Sequence, residues 1–196
     1  MHGFWQSMGE VFGPVVLGLA TYVAAQLTRA IRKRQIPQKP IDATHKDDVE
    51  ITLILESARL RLNAQRVYLS QFHNGDHYLS DSDILRKSRT HERARPGCSY
   101  QAEAFRGVLI STLAEEMALV LAEGPSYTLV KDLPESKYRW LCEQGGAVAV
   151  ARCAVRKGKK IVGFLGADFD TDVKPPDIES LCRDAYQIGN LLAGYK

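Results

Sequence analysis

Apolar positions are densest in residues 145–170, and they form two runs separated by a basic stretch. The runs are Ala147–Ala154 and Ile161–Phe169, with Arg156–Lys160 between them. Continuous apolar runs of this length, bounded by glycine and charge, are typical of buried strands rather than helices. The pattern predicts a β-hairpin at the centre of a sheet that helices cover.

Four amphipathic helices are predicted around this hairpin. Apolar residues three and four positions apart predict helices over 47–62 and 105–121. A third helix begins near Pro134 and ends at a Gly-Gly pair, and a fourth follows Asp177, which is a good capping residue. We expect the apolar face of each helix to cover the sheet.

Two further strands are predicted from aromatic and β-branched content, and a third would return from the first through residues 77–79 and resume around residues 84–90. Arg66–Phe72 and Ser126–Asp132 have strand composition, and Asn74-Gly75 predicts a hairpin turn after the first of them. Residues 80–103 are polar, which indicates a solvated loop or edge strand, or alternatively an anion-binding or nucleic-acid-facing surface. The order of elements predicts an α+β fold around a largely antiparallel sheet.

An uncharged segment, residues 11–28, precedes this domain and is followed directly by a basic cluster ending at Arg34. Its length is close to the minimum for a membrane-spanning helix, and the basic flank predicts that the following domain stays in the cytoplasm. We therefore expect a single-pass protein of the inner (cytoplasmic) membrane: anchor 1–34, linker 35–46 and cytoplasmic domain 47–196. The alternative is a helix that lies in the membrane interface or packs on a partner protein.

Composition excludes several classes of function. With 26 basic and 23 acidic residues, the net charge of +3 is too balanced to predict a nucleic-acid partner. The four cysteines form no CxxC pair and no zinc spacing, so no metal site is predicted. Cysteines in apolar surroundings indicate a reducing compartment.

Residues 130–170 resemble the carboxy-terminal half of a GAF domain. The matching features are Asp132, the Gly145-Gly146 turn, the Lys157-Gly158-Lys159 hairpin tip and the strand Ile161–Leu165, which reads IVGFL. The amino-terminal half matches through a long helix and a strand that ends in Phe72-His73-Asn74-Gly75. The resemblance covers about 47–195 and implies a GAF/PAS-like central antiparallel sheet flanked by helices.

The resemblance implies a small-molecule pocket between the sheet and its helices. It also implies a homodimer through the first and last helices, residues 47–62 and 177–193. The sequence lacks the signature of cyclic-nucleotide binding and a clear tetrapyrrole-attaching cysteine, so no cofactor is identified. No output domain is recognised before Lys196, so we expect a signal to pass through a partner protein. The layout is similar to that of small membrane proteins of tailed bacteriophages.

The leading hypothesis is a membrane-anchored GAF-like module that senses a small molecule or docks a protein, with no catalytic residue of its own. One alternative is a structural or assembly protein, of a phage, with a filled pocket. The other is a thiol enzyme similar to free methionine sulfoxide reductases, which would use Cys98, Cys142 and Cys153. The candidate ligand-binding residues are Tyr68, Ser70, Gln71, Phe72, His73, Phe105, Leu109 and Cys153. The candidate anion contacts are Arg86, Arg89, Arg93 and Arg95.

Overall fold

The computed structural model describes residues 22, 23, 26, 41–77 and 83–193. The chain divides into two units at Pro40, and residues 41–193 contain the elements described below. The predicted anchor, residues 11–28, lies outside the described residues except for three helical positions. No helix among the described residues has both the length and the apolar character that a membrane span requires. The anchor stays a prediction.

Six strands form one sheet in the order β3-β2-β1-β6-β5-β4, and each neighbouring pair is antiparallel. The strands are β1 (Arg66–His77), β2 (Asp83–Ala94), β3 (Val108–Leu109), β4 (Ser126–Leu129), β5 (Ala149–Lys157) and β6 (Lys160–Phe169). The hairpin predicted from the two apolar runs is confirmed as β5–β6, which turns at Gly158 with φ of +61°. The α+β class and the antiparallel sheet are therefore as the sequence predicts.

Four α-helices in the described part of residues 41–193 cover the two faces of this sheet, and two short 3₁₀ helices, Ile110–Leu113 and Val130–Asp132, lie between them in the chain. The α-helices are α1 (Ile41–Arg61), α2 (Ala114–Leu121), α3 (Lys137–Gln144) and α4 (Ser180–Ala193). Helices α1 and α4 pack on one face against residues such as Val67 and Leu165, which are fully buried. The opposite face carries α2 and α3, and its apolar residues form two smaller clusters around Val150 and Phe164.

Cys153 of β5 and Cys182 of α4 form a disulfide on the α1/α4 face, with their Cα atoms 5.7 Å apart. Their separation of 29 residues carries no local signal of pairing, and only the packing of α4 on β5 brings them together. Cys98 and Cys142 are unpaired. The pairing differs from the expectation that these cysteines are thiols in apolar surroundings.

Three predicted elements differ from the structure in detail. The turn is not at Asn74-Gly75, because β1 continues to His77 and absorbs the extra residue as an irregularity in its pairing with β2. The helix predicted over 105–121 begins only at Ile110, as a 3₁₀ helix over Ile110–Leu113 that continues into α2: Gly107 has a φ of +65°, and residues 108–109 pair with the edge of β2. Helix α1 begins at Ile41, directly after a proline and within the predicted linker.

Candidate functional site

The register of the sheet brings charged residues together on the face that α2 and α3 cover. Alternation along β1 directs Val67 and Leu69 to α1 and α4, so Arg66 and Tyr68 point to the other face. Arg66 lies opposite Asp168 of β6, and the next row contains Tyr68, Gly166 and Arg152. Charges far apart in sequence therefore become cross-strand neighbours.

Strand β2 adds three more charges to this face: Glu92, which lies opposite Tyr68, and Arg89 and Lys87, which a bulge turns to the same side. Leu69 pairs with His91 and Ser70 pairs with Arg89, which leaves Thr90 as the extra residue. A bulge changes the phase of side-chain alternation, so residues three apart face the same side. Arg89 before the bulge and Glu92 after it consequently both point toward α2 and α3.

Seven charged side chains fill this region, and none is more than 9% exposed. We call them the charge cluster: Arg66, Lys87, Arg89, Glu92, Glu116, Arg152 and Asp168. Glu116 comes from α2 and the other six from the sheet. Charged residues are almost never fully buried unless they are paired, and the geometry of this cluster follows that rule.

The cluster is one chain of ion pairs with alternating sign. It begins with Lys87 paired to Glu116, whose other oxygen lies 3.4 Å from Arg152 Nε. Arg152 Nη1 lies 3.2 Å from Asp168 Oδ1, and Asp168 Oδ2 lies 3.4 Å from Arg66 Nη1.

Glu92 and Arg89 complete the chain. Arg66 Nε lies 2.8 Å from Glu92 Oε1, and Glu92 Oε2 lies 3.5 Å from Arg89 Nη1. A cation therefore stands at each end, and four cations face three carboxylates.

The two terminal cations lie on aromatic rings. The guanidinium carbon of Arg89 is 3.5 Å from the ring centroid of Tyr68 and 4.3 Å from that of Phe105. Lys87 Nζ is 5.2 Å from the Phe105 centroid and 5.0 Å from that of Phe164. Cation–π attraction replaces part of the hydration that these ends lose on burial.

Residues 95–107, which contain no helix or strand, cover the cluster, and we call them the cover segment. The backbone N–H of Gln101 donates to both oxygens of Glu92, at 3.1 and 3.0 Å. Arg66 Nη2 donates to the carbonyl of Ser99 at 2.9 Å. The cover segment is attached to the cluster by polar contacts and by the ring of Phe105, which is 6% exposed.

The space left between the sheet, α2, α3 and the cover segment is a cavity of about 10 Å³. A cavity of that size holds about one water molecule. Two polar atoms of its lining, Arg89 Nε and Tyr138 Oη, have no hydrogen-bond partner among the described residues. Where the GAF resemblance implies a ligand pocket, this chain has its own charged side chains.

Burial controls the protonation of the neutral groups at the cavity. It raises the pKa of Tyr68 and of Tyr138 well above the usual range, so both hydroxyls stay protonated and keep a proton that can be donated. Burial also raises the pKa of Cys142 to about 12, so this residue is a thiol at neutral pH rather than a nucleophilic thiolate. Within the described residues, no three His, Cys, Asp or Glu side chains are placed to hold a metal ion.

The structure places three of the predicted residues at the cavity: Tyr68, Phe105 and Arg89. Ser70 lies on the same sheet face next to Arg89, fully buried. Leu109 is half-buried on β3, away from the cavity lining. Tyr68 Oη donates to Asp168 at 3.3 Å, so this predicted residue is part of the hydrogen-bonding around the cluster.

Four other predicted residues lie elsewhere. Gln71 and Phe72 line a groove of about 400 Å³ that Ile51 of α1 and Leu192 of α4 also line. His73 is exposed and its Nε2 is 2.9 Å from the Ser88 hydroxyl. Cys153, which forms the disulfide, borders a groove of about 380 Å³ next to α4.

The other predicted anion contacts do not reach the cavity. Arg86 Nη1 donates to the carbonyl of Gly107 at 2.7 Å, and Arg95 Nη1 pairs with Asp170 Oδ2 at 2.7 Å. Arg93 is half-buried on β2 and does not line the cavity. The arginines of this stretch thus serve different structural contacts, and only Arg89 joins the cluster.

Six members of the cluster are not among the predicted site residues: Arg66, Lys87, Glu92, Glu116, Arg152 and Asp168. Two of them carry a signal in the sequence. Arg152 and Asp168 interrupt the apolar runs of β5 and β6, and a charge inside a doubly covered strand has to be paired. The remaining four lie in polar or amphipathic stretches, where a charge is ordinarily exposed.

No protein-family profile matches the sequence, and no curated protein matches it either. Solved structures do match. The PixJ GAF domain of Thermosynechococcus elongatus, in its blue-light-absorbing form, superposes with a TM-score of 0.59 at 12% identity, over 80% of this chain and 90% of that one.

A phycoerythrobilin-bound GAF domain from a cyanobacterial phytochrome gives a TM-score of 0.56 at 14% identity, over 89% of this chain and 94% of that one. A far-red cyanobacteriochrome photoreceptor gives a TM-score of 0.57 at 12% identity, over 91% of this chain and 97% of that one. At sequence identities this low, the structural similarity establishes a shared fold. The chain has the fold of a GAF domain.

Proposed function

We propose that the chain is a sensory module that binds a small molecule between the sheet and helices α2 and α3, at the charge cluster. The observation that carries this proposal is a set of seven buried charges, with two unpartnered polar atoms, in the space that GAF domains use for ligands. Neighbours in fold include photoreceptors and a bilin-bound domain, which supports a sensing role.

The energetics of the cluster support binding rather than stabilisation. Replacing a buried ion network by apolar residues of similar volume is often neutral or stabilising, so such a network is weak evidence of a structural role. Perturbed, desolvated charges are concentrated at functional sites. A ligand that entered beneath the cover segment would meet donors and acceptors that are already oriented.

A thermal-shift screen of the full chain against cationic, neutral and anionic metabolites, with calorimetry on the compounds that raise Tm, tests this function. Gly145→Leu adds a side chain at the cavity lining, where a Cβ would lie 2.6 Å from Gln101 Nε2. Ala104→Leu adds a larger side chain at an exposed position of the cover segment and is the matched control. We expect binding to wild type and Ala104→Leu, and its loss in Gly145→Leu.

The second candidate is a structural or assembly protein, of a phage, with a filled pocket. It is favoured by the cavity of about 10 Å³, which admits no metabolite without movement of the cover segment. Hydrogen exchange separates the two. A sensor requires the cover segment to exchange faster than β5 and to slow on binding, whereas a filled structural module protects both alike and binds no compound.

We further propose that residues 11–28 anchor the module in the cytoplasmic membrane and that α1 and α4 pair with a second copy. Three exposed apolar residues on α1 support the pairing: Val49 is 44% exposed and Leu53 and Leu60 are each 64% exposed. Removal of residues 1–34 should release the protein from the membrane fraction, and a wild-type chain that is fully soluble contradicts the anchor. Leu53→Lys should shift sedimentation toward the monomer, while Leu85→Lys, at an exposed position of β2, should not.

A further inference from the structure

The charge cluster has an excess of one buried cation, and that excess belongs to one end of the ion-pair chain. At the Lys87 end, the ammonium pairs directly with Glu116, and both side chains are 1% exposed. At the opposite end, the Arg89 guanidinium reaches Glu92 only at 3.5 Å, and Arg66 is much closer to the same carboxylate, at 2.8 Å. Arg89 is therefore the cation that the carboxylates of the cluster neutralise least.

Two buried donors at the cavity are unsatisfied. Arg89 Nε and Tyr138 Oη both belong to residues of the cavity lining, and neither has an oxygen or nitrogen acceptor among the described residues. The Tyr138 hydroxyl is directed to the Cys142 thiol, which is a weak acceptor. Arg89 is 5% exposed and Tyr138 is 1% exposed, so bulk water does not supply the missing bonds. A buried donor without an acceptor is costly, and the cost disappears when an acceptor arrives.

Other groups at the cavity also favour an acceptor that carries negative charge. Arg152 lies on the same lining, and its guanidinium carbon is 5.2 Å from the Tyr68 ring centroid and 5.6 Å from that of Tyr138. Burial keeps the Tyr138 hydroxyl protonated, because it raises the pKa of that group well above its usual range. Charge-assisted hydrogen bonds to a carboxylate or phosphate are about twice as strong as neutral ones.

We infer that the ligand of this module is a small anionic molecule, whose carboxylate or phosphate group binds Arg89 Nε and Tyr138 Oη beneath the cover segment. This inference rests on the proposed function and adds the chemical class of the ligand. With the anion bound, the four cations of the charge cluster face four negatively charged groups instead of three. The Gln101 and Phe105 contacts to the cluster place the cover segment directly over the bound group.

Titration of the full chain with inorganic phosphate and, separately, with acetate distinguishes the two anionic groups. Sodium chloride at the same ionic strength corrects for screening. Tyr138→Phe removes only an unpartnered hydroxyl, and Arg89→Met removes the excess charge while Glu92 keeps Arg66 and the Gln101 N–H. Arg106→Met removes the same charge from an exposed position of the cover segment and is the matched control.

We expect phosphate or acetate to raise Tm above the chloride baseline and each cavity variant to weaken that anion's affinity about tenfold to hundredfold. Arg106→Met should bind as wild type does. Equal stabilisation of all four proteins overturns the inference, because it indicates screening rather than a site. If the compounds found in the metabolite screen are neutral or cationic, the inference fails and the sensory function stands. If no compound binds at all, both fail.

Discussion

The pair Lys87–Glu116 gives the sharpest quantitative test of how the cluster is held together. In Glu116→Gln, the buried ammonium of Lys87 loses its only carboxylate partner among the described residues, while Arg152 keeps Asp168. Removing one partner of a buried ion pair costs about 3–5 kcal/mol. Both side chains here are 1% exposed, so solvent screening reduces this cost little.

Deprotonation of Lys87 sets an upper limit to that cost. The ammonium can release its proton, and at pH 7 this costs about 5 kcal/mol, from an unfolded-state pKa of 10.5 and about 1.4 kcal/mol per pH unit. At pH 9 the limit falls to about 2 kcal/mol. The destabilisation of Glu116→Gln should therefore shrink as the pH rises toward 9.

The sign of this pH dependence follows from the direction of the shift. Burial lowers the pKa of Lys87 in the folded protein, opposed by Glu116, so the unfolded chain binds more protons between the folded pKa and 10.5. Stability consequently rises with pH across that window. Loss of Glu116 removes the opposing effect, lowers the folded pKa further and extends the window toward neutral pH.

Urea unfolding from pH 6.5 to 9 measures these effects. The double variant Lys87→Met/Glu116→Gln should recover most of the lost stability, since no uncompensated charge stays at that end. Glu143→Gln breaks an exposed Arg139–Glu143 pair of 2.8 Å and should change neither stability nor its pH dependence measurably. A cost of Glu116→Gln below about 1 kcal/mol, or one that is constant with pH, would refute a paired, desolvated Lys87.

Two further predictions concern the sheet and its disulfide. Gly166→Ala would place a Cβ 2.5 Å from the Tyr68 ring, so we expect a loss of about 1–3 kcal/mol from overpacking, read from urea midpoints; an unchanged midpoint means that the ring moves freely. Reduction of Cys153–Cys182, which closes a 29-residue separation, should lower stability by about 3–4 kcal/mol on the chain-entropy estimate. Thermal melting with and without dithiothreitol measures this loss of stability. Cys98→Ser should leave the difference between the two melting temperatures unchanged.

The sheet was largely predictable because its central strands follow local rules. The apolar runs of β5 and β6 carry their strand signal in consecutive residues, and Ser136 caps α3 through a 3.2 Å bond from the Arg139 N–H. The helix predicted over 105–121 was wrong over residues 105–109 because the edge of β2 competes for residues 108–109. Pairing with a distant strand leaves no periodic signal in the residues that are captured.

The charge cluster was not predictable from local pattern, because its pairs join distant positions. Arg66 and Asp168 are 102 residues apart, and Arg152 and Glu116 are 36 apart. The bulge at Thr90 also has no recognisable sequence signal, yet it decides that Arg89 and Glu92 face the same way. Without that shift, Arg89 and Lys87 would both point toward α1, and the cluster would lose the cation at each end.

Strand β2 shows why such a polar sequence can be buried at all. Its inward positions include Lys87, Arg89 and Glu92, and no local propensity favours burying them. They become compatible with the interior only when Glu116 of α2 and Arg66 of β1 arrive with opposite charge. Conflicts between local and global preference are expected at functional sites rather than in ordinary cores. The inner face of β2, rather than the apolar hairpin that defines the fold, is therefore where the function of this chain should be sought.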